Sequence, residues 1–350
     1  MESMQFPSIE IVIAGVLVVA LIFYALLGGA DYGGGVWDLF ARGTRAREQR
    51  ALIEEAIGPV WEANHVWLIL VVVVLFTAFP PAFAAIGTAL HIPLTLMLVG
   101  IVLRGTAFIF RKYDVQRDEV HRRWSWVFSI ASVITPVLLG ITLGAIASGA
   151  IRVPNGVVTS GFFAAWLAPF PFAVGLFALT LFAFLAAVYL TLETRDRDLQ
   201  EDFRRRALAA GVAVGALALG VFLLAQNNAP VVYAGISRSS WALPLHVFTG
   251  ACATSALICL WLRRYPWARV CAAGQVTLIL SGWALAQFPY LVPPDITIEA
   301  AAAPRLTLEM LLGVLVAGAI VLFPSLYYLF RIFKGRTGFT ARGGESDRIG

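Results

Sequence analysis

The sequence has few charged residues and few of the side chains from which most catalytic sites are built. Charged residues make up 13% of its 350 residues, and it has only four histidines and three cysteines. The cysteines have no CxxC spacing, and no two histidines have the spacing of a metal site or of paired axial haem ligands. A phosphate-binding Gly-x-x-x-x-Gly-Lys loop and a Ser–His–Asp signature are also missing. We therefore expect no metal site, no cofactor-binding residues and no self-contained catalytic centre on this chain.

Apolar residues fill most of the chain instead. They account for 59% of it, and the mean hydropathy is +0.81. Crossing about 30 Å of hydrocarbon takes roughly 20 residues. Nine stretches are long enough: about 9–36, 58–79, 83–110, 124–147, 160–191, 207–226, 241–262, 268–289 and 306–333. The sequence predicts an all-α integral membrane protein with nine transmembrane helices, as one membrane domain over 1–333 and a flexible cytoplasmic tail over 334–350.

The basic residues predict how these helices are oriented. Of the 26 lysines and arginines, 22 lie in five segments: 42–50, 111–123, 195–206, 263–269 and 331–350. Because cytoplasmic loops of membrane proteins are rich in lysine and arginine, these five segments are predicted to be cytoplasmic. The N-terminus is then outside and the C-terminus in the cytoplasm. The net charge of +5 is explained by topology, and no nucleic-acid partner is expected.

Three ionisable residues lie inside or at the edge of the predicted spans: Asp31, Glu62 and Arg104. A charge at the bilayer centre costs about 2.5–3.5 kcal/mol on insertion scales, so such residues usually have a function. The predicted orientation puts all three near the cytoplasmic ends of their spans. This pattern predicts proton or ion handling within the membrane. Two arrangements remain open, a structural arginine–carboxylate cluster and a wet path from the cytoplasm.

Other polar residues surround Glu62 in the second span. Trp61 and His65 are four residues apart, and Glu62 and His65 are three apart, so they should share one side of a helix. Asn64 lies between them. For Asn64 and His65, hydrogen bonds between helices are the alternative to a functional role.

Five glycines flank Asp31 within the segment Gly28–Leu39, GGADYGGGVWDL. Glycine permits close approach of helices, for example through Gly29 and Gly33, and it also permits local unwinding of a helix. Either effect would bring backbone or partner groups next to the Asp31 carboxylate.

The segment GGADYGGGVWDL, followed by Ile57–Ile69, IGPVWEANHVWLI, resembles subunit II of the cytochrome bd-type quinol oxidases. The resemblance extends over the whole chain and is strongest in the second segment. It implies a fold of two four-helix bundles plus one peripheral helix. It also implies a partner subunit I that carries haem b and haem d, oxidises quinol and reduces oxygen to water, in the cell membrane of a prokaryote. A small single-span subunit is a further partner that the resemblance allows.

The resemblance also implies roles for individual residues. Asp31 and Glu62 match acids associated with proton delivery, and Arg104 matches a family arginine in the third span. In one respect the chain departs from the family pattern: many relatives have a further acid three residues before the Asp31 position, where this chain has Gly28. The route by which protons enter therefore need not follow those relatives.

Two other classes of function fit the same residues. One is an ion-coupled secondary transporter, in which a glycine-broken first helix and the acids form the site. The other is a scaffold subunit whose polar residues serve only assembly. A haem-containing complex on purification supports the oxidase, whereas a colourless functional monomer supports the transporter.

The predicted topology can be tested with fused reporters. A reporter placed after Arg348 should behave as cytoplasmic, and one placed in segment 227–240 should behave as external, because the basic segments lie on one side only. The measurement is reporter activity in whole cells, with protein levels as the control. The reverse result at either position would show that the count of spans is wrong.

Overall fold

The structure, a computed structural model, describes residues 8–58, 61–113 and 118–334. Helices account for most of this part of the chain. They are α1 (Ile9–Phe23), α2 (Gly29–Leu39), α3 (Ala46–Ile57), α4 (Trp61–Ala78), α5 (Pro80–Ala89), α6 (His91–Tyr113), α7 (Asp118–Ser148), α8 (Pro169–Glu193), α9 (Arg197–Asn228), α10 (Pro230–Arg238), α11 (Ala242–Trp261), α12 (Tyr265–Gln287), α13 (Ile298–Ala301) and α14 (Arg305–Lys334). A π-helical turn (Tyr24–Gly28) joins α1 to α2, a 3-10 turn covers Pro154–Gly156, and two short strands, β1 (Tyr290–Val292) and β2 (Ile296–Thr297), form an antiparallel hairpin.

The helical membrane fold predicted from composition is confirmed. Eight helices in the described ranges are long and apolar enough to cross a membrane, and α1, the π turn and α2 together form the first of them. Helices α3 and α4, which are bent by 54° relative to each other, make a ninth if the pair is counted as one span. The count of nine and the orientation remain predictions. The proposed tail begins at residue 334, and its residues from 335 onward lie outside the described part.

Several predicted boundaries are wrong. The third span is predicted as 83–110, but the chain leaves helical geometry at Leu90 (φ −117°), which separates α5 from α6. The fifth span is predicted to begin at 160, whereas α8 begins at Pro169, a residue suited to the first helical turn because it needs no backbone N–H there. The segments 227–240 and 290–305, which lie between predicted spans, contain α10, the hairpin and α13.

One ion pair ties the hairpin to the segment before α8. Asp295, in the turn between β1 and β2, accepts hydrogen bonds from Arg152 Nε at 2.9 Å and Nη2 at 3.0 Å. The backbone N–H of Val153 donates to the same carboxylate at 2.7 Å. These donors, Arg152 first, hold the pKa of the Asp295 carboxyl below its usual range. The hairpin is therefore fixed at neutral pH by a charged contact.

The opposite end of the molecule carries α3, and we refer to it as the α3 end. This amphipathic helix buries one face against α6, α7 and α9 through Leu52, Ile53 and Ile57. Arg45, just before α3, pairs with Asp202 of α9 through Nε–Oδ2 and Nη2–Oδ1 contacts of 2.9 and 2.6 Å. Gln49 donates to the same carboxylate at 2.8 Å. Thus α3 is held against the membrane helices. Its side chains therefore have fixed positions relative to those helices.

Glycines bring α2 into close contact with its neighbours. A Cβ on Gly33 would overlap the backbone carbonyl of Phe182 on α8, and one on Gly29 would lie 2.5 Å from the Phe182 ring. On the other side, a Cβ on Gly35 would overlap the hydroxyl of Ser132 on α7. The prediction that these glycines permit close helix approach is confirmed. The predicted unwinding occurs only as a π turn, and the first span is not broken.

We predict that Gly33→Ala destabilises the protein, although Gly→Ala in a helix usually stabilises it. The added methyl group meets backbone, which has little freedom to move, so a cost of about 1–3 kcal/mol is expected. Thermal unfolding in detergent measures it as a lower Tm. Gly15→Ala, in α1 of the same span, is the matched control, because no atom of another helix lies within 4 Å of the position that its Cβ would occupy. Equal Tm values for the two variants would contradict the packing described here.

Candidate functional site

The site is built on the first span where its winding changes. Tyr24 begins the π turn and Tyr32 follows on α2, and their hydroxyl oxygens are 3.4 Å apart, with Tyr24 as donor. Both side chains are buried. A π turn inserts an extra residue into a helix and is frequent at functional sites. Here it rotates α2 relative to α1, which sets the directions of the side chains that follow it.

Asp31 lies on α2 with its carboxylate in the interior. The side chain of Asn64, from α4, donates a hydrogen bond from Nδ2 to Asp31 Oδ2 and lies 3.5 Å from the carbonyl oxygen of Leu27. Asp31 is 6% exposed and Asn64 is 2% exposed. The second span thus contributes an amide donor to the acid of the first span, which stabilises the carboxylate in a poorly hydrated place.

Arg104, on α6, reaches the same region through Tyr32. Its Nε donates to Ser132 Oγ at 3.2 Å, and its guanidinium carbon lies 4.7 Å from the Tyr32 ring centroid and 5.2 Å from that of Phe128. Within the described ranges, its Nη2 has no hydrogen-bond partner. The two aromatic faces and the serine accommodate part of its charge.

His65 is half-buried on the inner side of α4. Its ring centroid is 6.1 Å from that of Tyr24 and 6.0 Å from that of Tyr32. Together with the Asn64 contact, this places the inner side of α4 against the tyrosine pair and Asp31. The structure therefore brings five side chains from the first two predicted spans into one group: Tyr24, Tyr32, Asp31, Asn64 and His65.

Glu62 does not join this group. Its side chain is exposed on the outer side of α4, in line with the exposed apolar residues Val66, Ile69 and Val73. The single stripe predicted for Glu62 and His65 is thus divided between the surface and the interior. The side chain of Trp61, the remaining predicted residue, lies outside the described part of the structure.

Sequence reasoning missed a second polar cluster near the α3 end. Asp38 of α2 and Arg111 of α6 are both buried, and Asp38 Oδ1 lies 3.2 Å from Arg111 Nη2. Ser129 donates from Oγ to Asp38 Oδ2 at 2.9 Å, and Glu54 of α3 lies 3.4 Å from Arg111. One signal was present in the sequence: Asp38 follows Asp31 by seven residues, and Arg111 follows Arg104 by seven, which is about two helical turns in each case.

Comparison with known protein families gives a match over almost the whole chain. A model of the family described as cytochrome bd terminal oxidase subunit II matches residues 9–333. The putative cytochrome bd menaquinol oxidase subunit II of Bacillus subtilis (strain 168) is 22% identical over 340 residues, which cover 93% of this chain and 96% of that protein. The cytochrome bd-I ubiquinol oxidase subunit 2 of Escherichia coli (strain K12) is 26% identical over 356 residues, covering 87% and 88%.

The fold is also similar to a solved structure. A chain of the bd oxidase from Geobacillus thermodenitrificans superposes with a TM-score of 0.79 at 22% sequence identity. The match covers 94% of this chain and 99% of that chain. At this level of identity the similarity establishes the fold, and residue roles have to be argued from the site itself.

The contact between Asn64 and Asp31 predicts a measurable effect on stability. Asn64→Ala removes a buried donor from the carboxylate, which should cost about 1–3 kcal/mol. Thermal unfolding of the detergent-solubilised protein should show a lower Tm than for Asn228→Ala. Asn228 is the matched control because its exposed amide bonds within its own helix, to Leu224 O. A Tm for Asn64→Ala equal to that of the control would mean that this bond contributes little.

Proposed function

The chain belongs to the cytochrome bd terminal oxidase subunit II family, and we propose that within the oxidase its Asp31 and Glu62 deliver protons from the cytoplasm. It is a subunit of an oxidoreductase complex in which quinol is oxidised and oxygen is reduced to water. Oxygen reduction consumes protons, and a buried carboxylate is a suitable carrier because it binds and releases a proton at a fixed atom.

One observation carries this proposal: Asp31 is 6% exposed and its carboxylate accepts a hydrogen bond from a neutral amide, that of Asn64. An amide donor stabilises the ionised carboxylate without contributing a full charge. The amide of the second span thus holds the buried carboxylate of the first span in place. The guanidinium of Arg104, beside Tyr32 and Ser132, supplies positive potential near the site and lowers the cost of the negative charge.

Glu62 is proposed to act where this chain meets the partner subunit I. A carboxylate among exposed apolar side chains of a membrane helix cannot be hydrated by lipid tails, so it requires a polar neighbour. The partner subunit is the neighbour that a membrane complex offers, and α4 would then lie at the contact. Trp61, Asn64 and His65, which lie beside Glu62 in α4, are proposed to support it.

The oxidase family uses haem and quinol. The histidines whose side chains are described in this chain lie on three different helices: His65 is beside Tyr24 and Tyr32 on α4, His91 begins α6, and His246 lies on α11. We therefore propose that haem b and haem d are carried by subunit I. The family allows a small single-span subunit as a further partner.

The number, orientation and grouping of the spans are also part of our proposal. We propose that α3 and α4 form one bent span, which gives nine spans with the N-terminus outside and the tail in the cytoplasm of a prokaryotic cell. Two four-helix bundles and one peripheral helix would then make up the subunit. In support, α14 is the least buried of the candidate spans, at 6% of its most apolar window.

The transporter alternative finds no such support. It required a break in the first span at which backbone groups are free to bind a substrate or ion. In the structure, α1, the π turn and α2 form a continuous helix from Ile9 to Leu39.

The proton-delivery role is tested by Glu62→Gln and Asp31→Asn, which keep shape and hydrogen bonding but remove the titratable group. The complex should assemble with normal haem absorption spectra, while quinol-driven oxygen consumption falls by about tenfold or more. Glu62→Asp should retain more activity, because the carboxylate remains. Glu48→Gln, an exposed acid on α3, is the control and should match the unmodified enzyme.

Two other outcomes would contradict proton delivery by these acids. Loss of assembly in Glu62→Gln would make the carboxylate a structural contact between subunits, as the scaffold alternative requires. Normal turnover in both Glu62→Gln and Asp31→Asn would place the proton path elsewhere.

A further inference from the structure

The acids of α2 and the arginines of α6 form two layers inside the helix bundle. Asp31 and Asp38 are seven residues apart on α2, and Arg104 and Arg111 are seven apart on α6. Seven residues are about two helical turns, or about 10.5 Å. Each helix therefore presents one charged side chain to the interior at two depths. We call the level of Asp31 and Arg104 the deep layer and the level of Asp38 and Arg111 the α3-end layer.

Helix α7 adds one serine to each layer. Ser132 accepts from Arg104 Nε at 3.2 Å in the deep layer, and Ser129 donates to Asp38 at 2.9 Å in the α3-end layer. Both serines are buried. Because they are three residues apart, they lie on one side of α7. The two layers are thus connected by a polar side of that helix.

A single aromatic ring contacts both arginines. The guanidinium carbons of Arg104 and Arg111 are each 5.2 Å from the ring centroid of Phe128. Phe128 of α7 thus joins the two layers. On α2, Gly34 and Gly35 lie between the two acids, and Gly35 packs directly against Ser132, the serine of the deep layer.

Two carboxylates share one guanidinium in the described part of the α3-end layer. Asp38 and Glu54 both contact the guanidinium of Arg111, at 3.2 and 3.4 Å. The Glu54 side chain is 33% exposed, whereas those of Asp38 and Arg111 are 2% and 4% exposed. Glu54 is therefore the member of the cluster that reaches solvent.

Arg111 also has donors that the described protein atoms do not use. Its Nε and Nη1 are buried and have no hydrogen-bond partner in the described ranges. In the deep layer the same holds for Arg104 Nη2. Buried donors of charged groups are normally satisfied, and ordered water satisfies them where protein groups do not. This is the environment that a chain of water molecules between carboxylates requires.

We propose that Glu54 and Asp38 form the cytoplasmic mouth of a proton path that leads past Ser129 and Ser132 to Asp31. A proton from the cytoplasm binds a carboxylate oxygen of Glu54, transfers through water to Asp38, and then passes through water to Asp31. Each carboxylate that releases the proton returns to its ionised form, so no other reactant is consumed. The inference rests on the proposed proton delivery through Asp31, and it assigns the entrance within this chain to a group other than residue 28, which is glycine.

The test uses the assembled oxidase with Asp38→Asn, Glu54→Gln, Asp31→Asn and a control, Glu55→Gln. Glu55 is the next residue on α3 and is exposed, so the control makes the same chemical change outside the cluster. Oxygen consumption with quinol is measured per haem, across a pH range from mildly acidic to alkaline. Assembly is followed by the haem absorption spectrum.

We expect normal spectra for Asp38→Asn and Glu54→Gln, with turnover reduced by about tenfold or more for the buried Asp38 and by less for Glu54. The reduction in Glu54→Gln should grow as pH rises, because proton collection becomes limiting when protons are scarce. The ion pairs of Asp38 and Glu54 in the described ranges are both with Arg111, so a change in the pH profile reports on this cluster. A purely structural role would not alter that profile.

Three results would overturn the inference, and they separate it from the proposal on which it rests. If Asp38→Asn and Glu54→Gln match Glu55→Gln while Asp31→Asn loses turnover, the mouth lies elsewhere and proton delivery through Asp31 stands. If Asp31→Asn is also normal, the proposed function itself fails. If Asp38→Asn does not assemble, Glu54→Gln decides, because its side chain is partly exposed; an unchanged rate and pH profile then overturns the inference.

Discussion

The close packing of α2 against α7 and α8 is the constraint on which the rest of the site depends. Gly33 lies against the backbone of Phe182, and Gly35 lies against the side chain of Ser132. These contacts leave no room for any side chain at either position. Because α2 is held so close to both neighbours, Asp31 and Asp38 on the same helix enter the interior instead of facing lipid. Larger residues on this face would displace α2 and separate the acids from their partners.

The buried charged side chains have different partners in the deep layer and in the α3-end layer. In the deep layer, Asp31 receives an amide hydrogen bond from Asn64, while Arg104 rests on aromatic rings and a serine. In the α3-end layer, Asp38 is bound directly to Arg111. Both arrangements offset part of the desolvation cost of charge in an apolar interior.

The surface of the chain indicates that it works as part of a larger assembly. Glu62 stands in a row of exposed apolar residues on α4, where lipid alone would leave the carboxylate unsatisfied. Membership of the subunit II family supplies the reason, since the reaction belongs to a complex of subunits. The interior cluster and the outward-facing acid thus lie at two positions of the first two predicted spans, one within this chain and one at its surface.

The sequence by itself determined the helical membrane fold, the family and part of the buried site, namely Asp31, Asn64, His65 and Arg104. Apolar stretches of about 20 residues require spanning helices, because no other open structure satisfies the backbone in lipid. The glycine segment around Asp31 and the polar segment around Asn64 were also recognisable, since ionisable residues are rare and costly within membrane spans. Tertiary structure alone decided the partners: that Asn64 donates to Asp31, that Glu62 faces outward, and that Asp38 meets Arg111. Spacing along one helix determines which residues share a side, but which side faces the interior depends on how neighbouring helices pack, and that is set by contacts between residues far apart in the chain.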